Sequence, residues 1–274
     1  DGIPAYKSLG KNDICTNRSI ELATQVAREG ITLLKNDGPT LPLNTATFKT
    51  LAVVGPHANS TVAMIGNYAF DPRNPGSPCR YTSPIDGFST YGKVNYAAGC
   101  GDVKCKDASL IPPAVEAAKT ADATIIVTGL DLSIEAEGLD RLDLLLPGKQ
   151  TDLINQVAAA AKGPVILVLM TAGGVDISFA KTNPKIKAIL WVGYPGAEGG
   201  RAIADVVFGQ YNPGKQTFYN NYVRFLKNIE RKKSIERREN TRIAWFGLND
   251  YVHRRRPLRL HLHYNLKSSA KMNP

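Results

Sequence analysis

Val165–Met170 is apolar at all six of its positions, and Ala188–Val192 is apolar at all five. Strands without a polar face must be covered on both sides, as in parallel sheets flanked by helices. Thr124–Val127 and Leu51–Val54 have nearly the same character, and Ile31–Leu34 and Lys93–Tyr96 read as two further short strands. Between these runs the period lengthens toward 3.6. Arg18–Glu29 reads as a helix capped by Thr16 or Asn17 and stopped by Gly30, with Leu22/Val26 and Ala23/Ala27 at i, i+4 spacing. Pro112–Thr120 is a second helix. Gly148–Ala161 is a third, with Leu153, Ile154, Val157 and Ala158 on one face. Glu198–Phe208 is a fourth, with Glu198 at the positive end of its dipole and Ala202, Ile203 and Val206 turned inward. The alternation predicts a three-layer α/β sandwich on a mostly parallel sheet of about five or six strands.

In such sheets ligands bind beyond the carboxyl ends of the strands, near the point where strand order reverses. That directs attention to four loops: Gly55–Ser60, Gly129–Arg141, Thr171–Gly174 and Gly193–Gly199. The first follows a strand but has neither G-x-G-x-x-G nor the Lys-Ser/Thr of a phosphate loop, so no nucleotide cofactor is expected. Glycines in Thr171–Gly174 read as a turn. His253, His261 and His263 lack a companion Cys or Glu motif, so no metal is expected.

The Gly129–Arg141 loop is the richest in chemistry. It places Asp131, Glu135, Glu137 and Asp140 after a strand and ends in Arg141. Were the segment extended, Glu135 and Glu137 would share a face, and crowding would raise one of their pKa values toward that of a general acid. The same residues are equally those of a solvated acidic loop paired with Arg141.

Charge divides the chain in two. The net charge is +10, yet of the 34 Lys and Arg 15 lie in residues 215–274, against 4 of the 24 Asp and Glu. The first 214 residues therefore hold 19 basic and 20 acidic groups and are nearly neutral. A basic segment with interleaved aromatics fits nucleic acid or a membrane surface. Set against this, the segment holds only three Gly or Ala (Ala244, Gly247 and Ala270), a break in composition that fits a shifted frame or retained intron better. A membrane span is not expected, because the longest apolar run is far shorter than the roughly 20 residues a bilayer needs. No signal peptide is visible after Asp1.

Ser133-Ile-Glu-Ala-Glu-Gly-Leu-Asp-Arg141 with Leu144-Leu-Leu-Pro-Gly148 resembles the second domain of glycoside hydrolase family 3. So do Glu29–Asn36, Leu51–Pro56, Gly193–Gly196 with Glu198–Gly200, and Tyr211–Gly214. Within the family the pattern is most similar to plant β-D-xylosidases and α-L-arabinofuranosidases. The resemblance implies a retaining exo-glycosidase of xylan and arabinoxylan oligosaccharides, whose barrel domain supplies an Asp nucleophile and whose second domain supplies the acid/base Glu. Retention sets the two carboxylates about 5–5.5 Å apart. The family's Glu lies three residues before the Asp-Arg pair, which is Glu137 here, with Glu135 as the alternative; Asp140 and Arg141 are expected to shape the loop. On this pattern residues 1–30 form an interdomain linker and first helix, 31–214 the α/β-sandwich domain, and 215–274 a poorly packed basic tail outside the family, with a short helix around Val223–Glu239. Asp71–Ser77 reads as an insertion.

The implied partners are a xylo- or arabino-oligosaccharide and the family's N-terminal barrel, which this sequence does not contain; nucleic acid and membrane are disfavoured. Competing readings are a non-catalytic carbohydrate-binding or partner module and a basic-tail nucleic-acid binder. The resemblance also implies an extracellular or cell-wall protein, together with the sequons Asn17-Arg-Ser and Asn59-Ser-Thr. An oxidising compartment would allow a Cys100–Cys105 bridge, one of several ways to pair Cys15, Cys79, Cys100 and Cys105.

Overall fold

The computed structural model describes residues 8–10, 13–66 and 79–213. The expected insertion at 71–77 and the basic tail, with its histidines and helix, lie outside the described residues. Among the described residues one six-stranded sheet is formed: β1 (Thr32–Asn36), β2 (Thr50–Val54), β3 (Lys93–Ala97), β4 (Ala123–Gly129), β5 (Val165–Met170) and β6 (Ile186–Trp191). Their order is β1-β6-β5-β4-β2-β3, and all pairs are parallel except β1 with β6. β4 and β5 are buried along their whole length, as their uninterrupted apolar sequence requires.

Among the described residues six α-helices cover the two faces: α1 (Asn17–Gly30), α2 (Pro84–Ser89), α3 (Ile111–Thr120), α4 (Gln150–Ala160), α5 (Ser178–Thr182) and α6 (Gly199–Val207). Alternation along the strands sorts the core. Val53, Ile125, Val127 and Ile166 pack with Ala27 of α1, Phe88 of α2 and Ile203 of α6. Val54, Ile126, Leu167 and Ile189 face the other way, against Ala114 of α3, Ile154 of α4 and Ala180 of α5. The three-layer sandwich is therefore present as expected.

Three details differ from the sequence reading. On α1, Leu22 and Val26 are 59% and 53% exposed, while Thr24 and Ala27 face inward. The helix is turned by Arg28, whose Nε and Nη2 donate to Asp205 of α6 at 2.8 and 2.5 Å, and Asp205 also accepts from Tyr91 Oη at 2.5 Å. The short helix α2 has no counterpart in the sequence reading; Ser83 and Asp86 form a reciprocal capping box, and Pro84 opens the first turn. α4 begins at Gln150, because Gly148 has φ +53 and lies against the carbonyls of Lys104 and Cys105. Two disulfides are closed, Cys100–Cys105 and Cys15–Cys79.

Candidate active site

The strand order reverses between β2 and β4, since β3 lies on one side of β2 and β4, β5 and β6 on the other. The four loops singled out by sequence meet at this carboxyl edge. At two positions the backbone is packed without room for a side chain: a Cβ on Gly55 (φ +115) would lie 2.3 Å from the Val127 carbonyl oxygen, and one on Gly129 (φ +147) 2.0 Å from that of Met170. His57 closes the crevice. Its ring is 1% exposed, its Nε2 lies 2.9 Å from the Leu130 carbonyl, and burial lowers its pKa from 6.5 to about 4. A neutral ring with Nε2–H donating to that carbonyl satisfies the contact.

From Leu130 the chain leaves the sheet as a long loop that returns at α4. The loop is not extended. The Ile134 and Glu135 amides both donate to the Asp131 carbonyl, and Ala136 and Leu139 then exchange two backbone hydrogen bonds of 3.0 Å across Glu137-Gly138. Gly138 has φ +72 while Glu137 stays at negative φ, the pattern of a type II turn with glycine where it is needed. Glu135 and Glu137 are thereby separated rather than set on one face.

Glu135 turns inward. Its Oε2 accepts from Arg141 Nε at 2.6 Å, and the Arg141 side chain is only 9% exposed. Arg141 Nη2 donates to the Gly174 carbonyl at 2.9 Å, so the ion pair fastens the loop onto the turn after β5. Gly173 makes this docking possible, because a Cβ there would stand 2.8 Å from Arg141 Nη2 and 3.0 Å from Glu135 Oε1. The glycines read as a simple turn are in fact the floor under the ion pair. Glu137 is exposed at the turn tip and makes no hydrogen bond or ion pair among the described residues. Asp140 is also exposed.

Tyr194, from the loop after β6, completes the setting. Burial first, then the Glu135 and Asp131 carboxylates, raise its phenol above the ordinary value, so it stays protonated. Neither His57 nor Tyr194 was distinguishable by sequence from other loop residues, since their burial depends on contacts more than 50 residues away along the chain. In chemical terms the Gly129–Arg141 segment offers, among the described residues, two exposed carboxylates, Glu137 at the turn tip and Asp140 beside Arg141, with a third, Glu135, neutralised beneath them.

Comparison with known proteins agrees with this geometry. The family model described as the glycosyl hydrolase family 3 C-terminal domain matches residues 31–247. A β-xylosidase/α-L-arabinofuranosidase of Medicago sativa subsp. varia is 56% identical over 216 residues, covering 78% of this chain and 27% of the relative. A β-D-xylosidase of Arabidopsis thaliana is 53% identical over the same length and share. Among solved structures, a GH3 exo-β-xylosidase in complex with a xylobiose aziridine activity-based probe superposes with a TM-score of 0.67 at 39% identity, over 76% of this chain and 26% of that one. The chain thus spans about a quarter of the length of these relatives. Sequence motifs, sheet topology and the family match overlap across residues 31–213, the match itself running on to 247, and the chain belongs to glycoside hydrolase family 3, of which it carries the C-terminal domain.

Proposed function

We propose that this chain supplies the acid/base carboxylate, Glu137, of a retaining exo-glycosidase that removes xylosyl or arabinosyl ends from xylan-derived oligosaccharides. The carrying observation is the contrast between the two glutamates: Glu135 is closed off by Arg141, whereas Glu137 is exposed at a turn tip and has no partner among the described residues. A carboxyl that must reach a sugar held by another domain has to stand clear of its own core. In the first step the Glu137 carboxyl protonates the glycosidic oxygen as a nucleophile of the barrel attacks the anomeric carbon. In the second, the Glu137 carboxylate takes a proton from the water that hydrolyses the glycosyl-enzyme. The names of the relatives, β-xylosidase and α-L-arabinofuranosidase, support the substrate class. Two disulfides and exposed Asn17 and Asn59 in sequons support an extracellular setting.

The isolated chain is expected to leave 4-nitrophenyl β-D-xyloside and α-L-arabinofuranoside uncleaved, because one carboxylate cannot both form and hydrolyse the intermediate. Replacing the matching segment of the Medicago relative by this domain should preserve turnover. In that enzyme Glu137→Gln should lower xylobiose hydrolysis by about 10²–10⁴. Added azide, which needs no general base, should restore release from the aryl xyloside. Undiminished xylobiose hydrolysis in Glu137→Gln would reject the assignment. Turnover by the chain alone, lost in Glu137→Gln, would require a nucleophile within it, Asp131 or Glu135, and would overturn the division of roles.

A further inference from the structure

Gln150, the first residue of α4, is fully buried. Its surroundings explain why. β4 keeps β5 beside it to its end, with Gly129 opposite Met170, but the β2 ladder stops at Val54 opposite Ile126. Past that point the His57 amide takes the Val127 carbonyl, and the Gly129 N–H and C=O that face the same side have no strand to meet. Buried and unpaired, these groups would be costly. The Gln150 side chain answers both: Gly129 N–H donates to Oε1 at 2.9 Å, and Nε2 donates to the Gly129 carbonyl at 2.9 Å. A strand neighbour would make the same reciprocal pair. The second Nε2 hydrogen goes to the Val103 carbonyl at 2.6 Å, inside the loop closed by Cys100–Cys105. Asn would be too short for this reach, and Glu would set oxygen against two carbonyls.

Gly129 is the residue from which the acidic loop departs, and Gln150 is where the loop comes back. We infer that Gln150 is a positioning residue: its amide ties both ends of the 130–149 loop to one point and so fixes where Glu137 stands. It touches no substrate and acts only through the backbone. Its relevance to catalysis rests on the Glu137 reading; its hold on the loop does not.

The test is amide hydrogen exchange on the full 274-residue chain, comparing wild type with Gln150→Met and Gln150→Glu. Gln150→Met should speed exchange across 129–146 at least tenfold while changing the centre of β5 less than threefold. Gln150→Glu offers no donor when ionised and one when protonated, so its excess exchange in the loop should shrink as pH falls across the range from about 9 to 5. That pH-dependent rescue also covers the case in which Gln150→Met does not fold. Exchange rising equally in loop and sheet, or loop exchange in Gln150→Glu that does not respond to pH, would overturn the proposal. Because exchange reads the loop and not turnover, the outcome stands apart from the Glu137 activity test.

Discussion

Glu135→Gln should release the loop that Glu137→Gln leaves in place. The Arg141 side chain is only 9% exposed. In the native loop it holds the Glu135 carboxylate at 2.6 Å and one neutral carbonyl, that of Gly174, at 2.9 Å. A hydrogen bond to a charged group contributes about 1.5–3 kcal/mol, and a buried charge stripped of its partner costs about 3–5 kcal/mol. Glu135 is itself 24% exposed, so water screens part of the pair, and glutamine retains one acceptor. The lower end, about 2 kcal/mol, is therefore the expected cost, equivalent to about a 30-fold rise in the opened population.

Trypsin reads that population directly, because cleavage after Arg141 requires the side chain to leave its seat, and Leu142 beyond it is already fully exposed. The rate of appearance of the peptide ending at Arg141, followed by mass spectrometry, should rise about 30-fold in Glu135→Gln. In Glu137→Gln, a substitution at an exposed and unpartnered position, it should stay within about twofold. Equal acceleration in the two variants, or less than about threefold in Glu135→Gln, would refute the assignment of Glu135 to bracing and Glu137 to presentation.

Three further outcomes are expected. Asp205→Ala removes the shared acceptor of Arg28 and Tyr91 from a site where the Asp and Arg side chains are 7% and 18% exposed, and should cost about 3–5 kcal/mol, or about 6–20 °C in the melting midpoint; Glu116→Ala, breaking an exposed pair, should cost under about 1 kcal/mol. His57 binds its proton more weakly folded (about 4) than unfolded (6.5), so its contribution is complete above pH 6.5 and is lost as pH falls toward 4; the unfolding free energy from urea titrations should drop by up to about 3 kcal/mol over that window, and His57→Gln should flatten the slope. By loop entropy, opening Cys15–Cys79, with 64 residues of separation, should cost about 4 kcal/mol against about 2 kcal/mol for Cys100–Cys105, with 5; paired Cys→Ala variants compared by thermal melting should keep that order.

The central strands were legible because burial on both faces leaves a purely local mark, as in Val165–Met170. The edge strand β1, Thr32–Asn36, carries Lys35 and Asn36 and is mostly half-buried, and it runs antiparallel to β6, an orientation set by the path of the chain and not by its own residues. The inward face of α1 was misleading for a related reason. Leu22/Val26 and Ala23/Ala27 share one spacing, and of the four Ala27 is buried; the Arg28–Asp205 pair joins residues 177 apart and turns the helix onto Thr24 and Ala27, leaving the larger Leu22 and Val26 exposed. Helix α2 did carry a readable signal, Ser83 with Asp86 three positions on and Pro84 between; six residues containing Gly87 simply gave no period to notice. Gly87 is required there because a Cβ would sit 2.1 Å from the Gly200 carbonyl oxygen.

At the site, the acidic motif was legible and the division of labour within it was not. Gly55 and Gly129 show that where β2 and β4 end the carboxyl edge of the sheet is filled by backbone, leaving no room for a side chain at those two positions. Reactive groups must then be carried above the edge on a loop, and a loop of this length needs bracing to hold a carboxylate in one place. Arg141 reaching Gly174 and Gln150 reaching Gly129 provide it at the middle and the ends, and both contacts depend on residues 33 and 21 positions distant. Two glutamates two residues apart thus have opposite fates. One neutralises the brace and behaves as an ordinary acidic loop residue paired with arginine. The other gains a fixed position without a partner, the condition a proton donor to a sugar on another domain must meet.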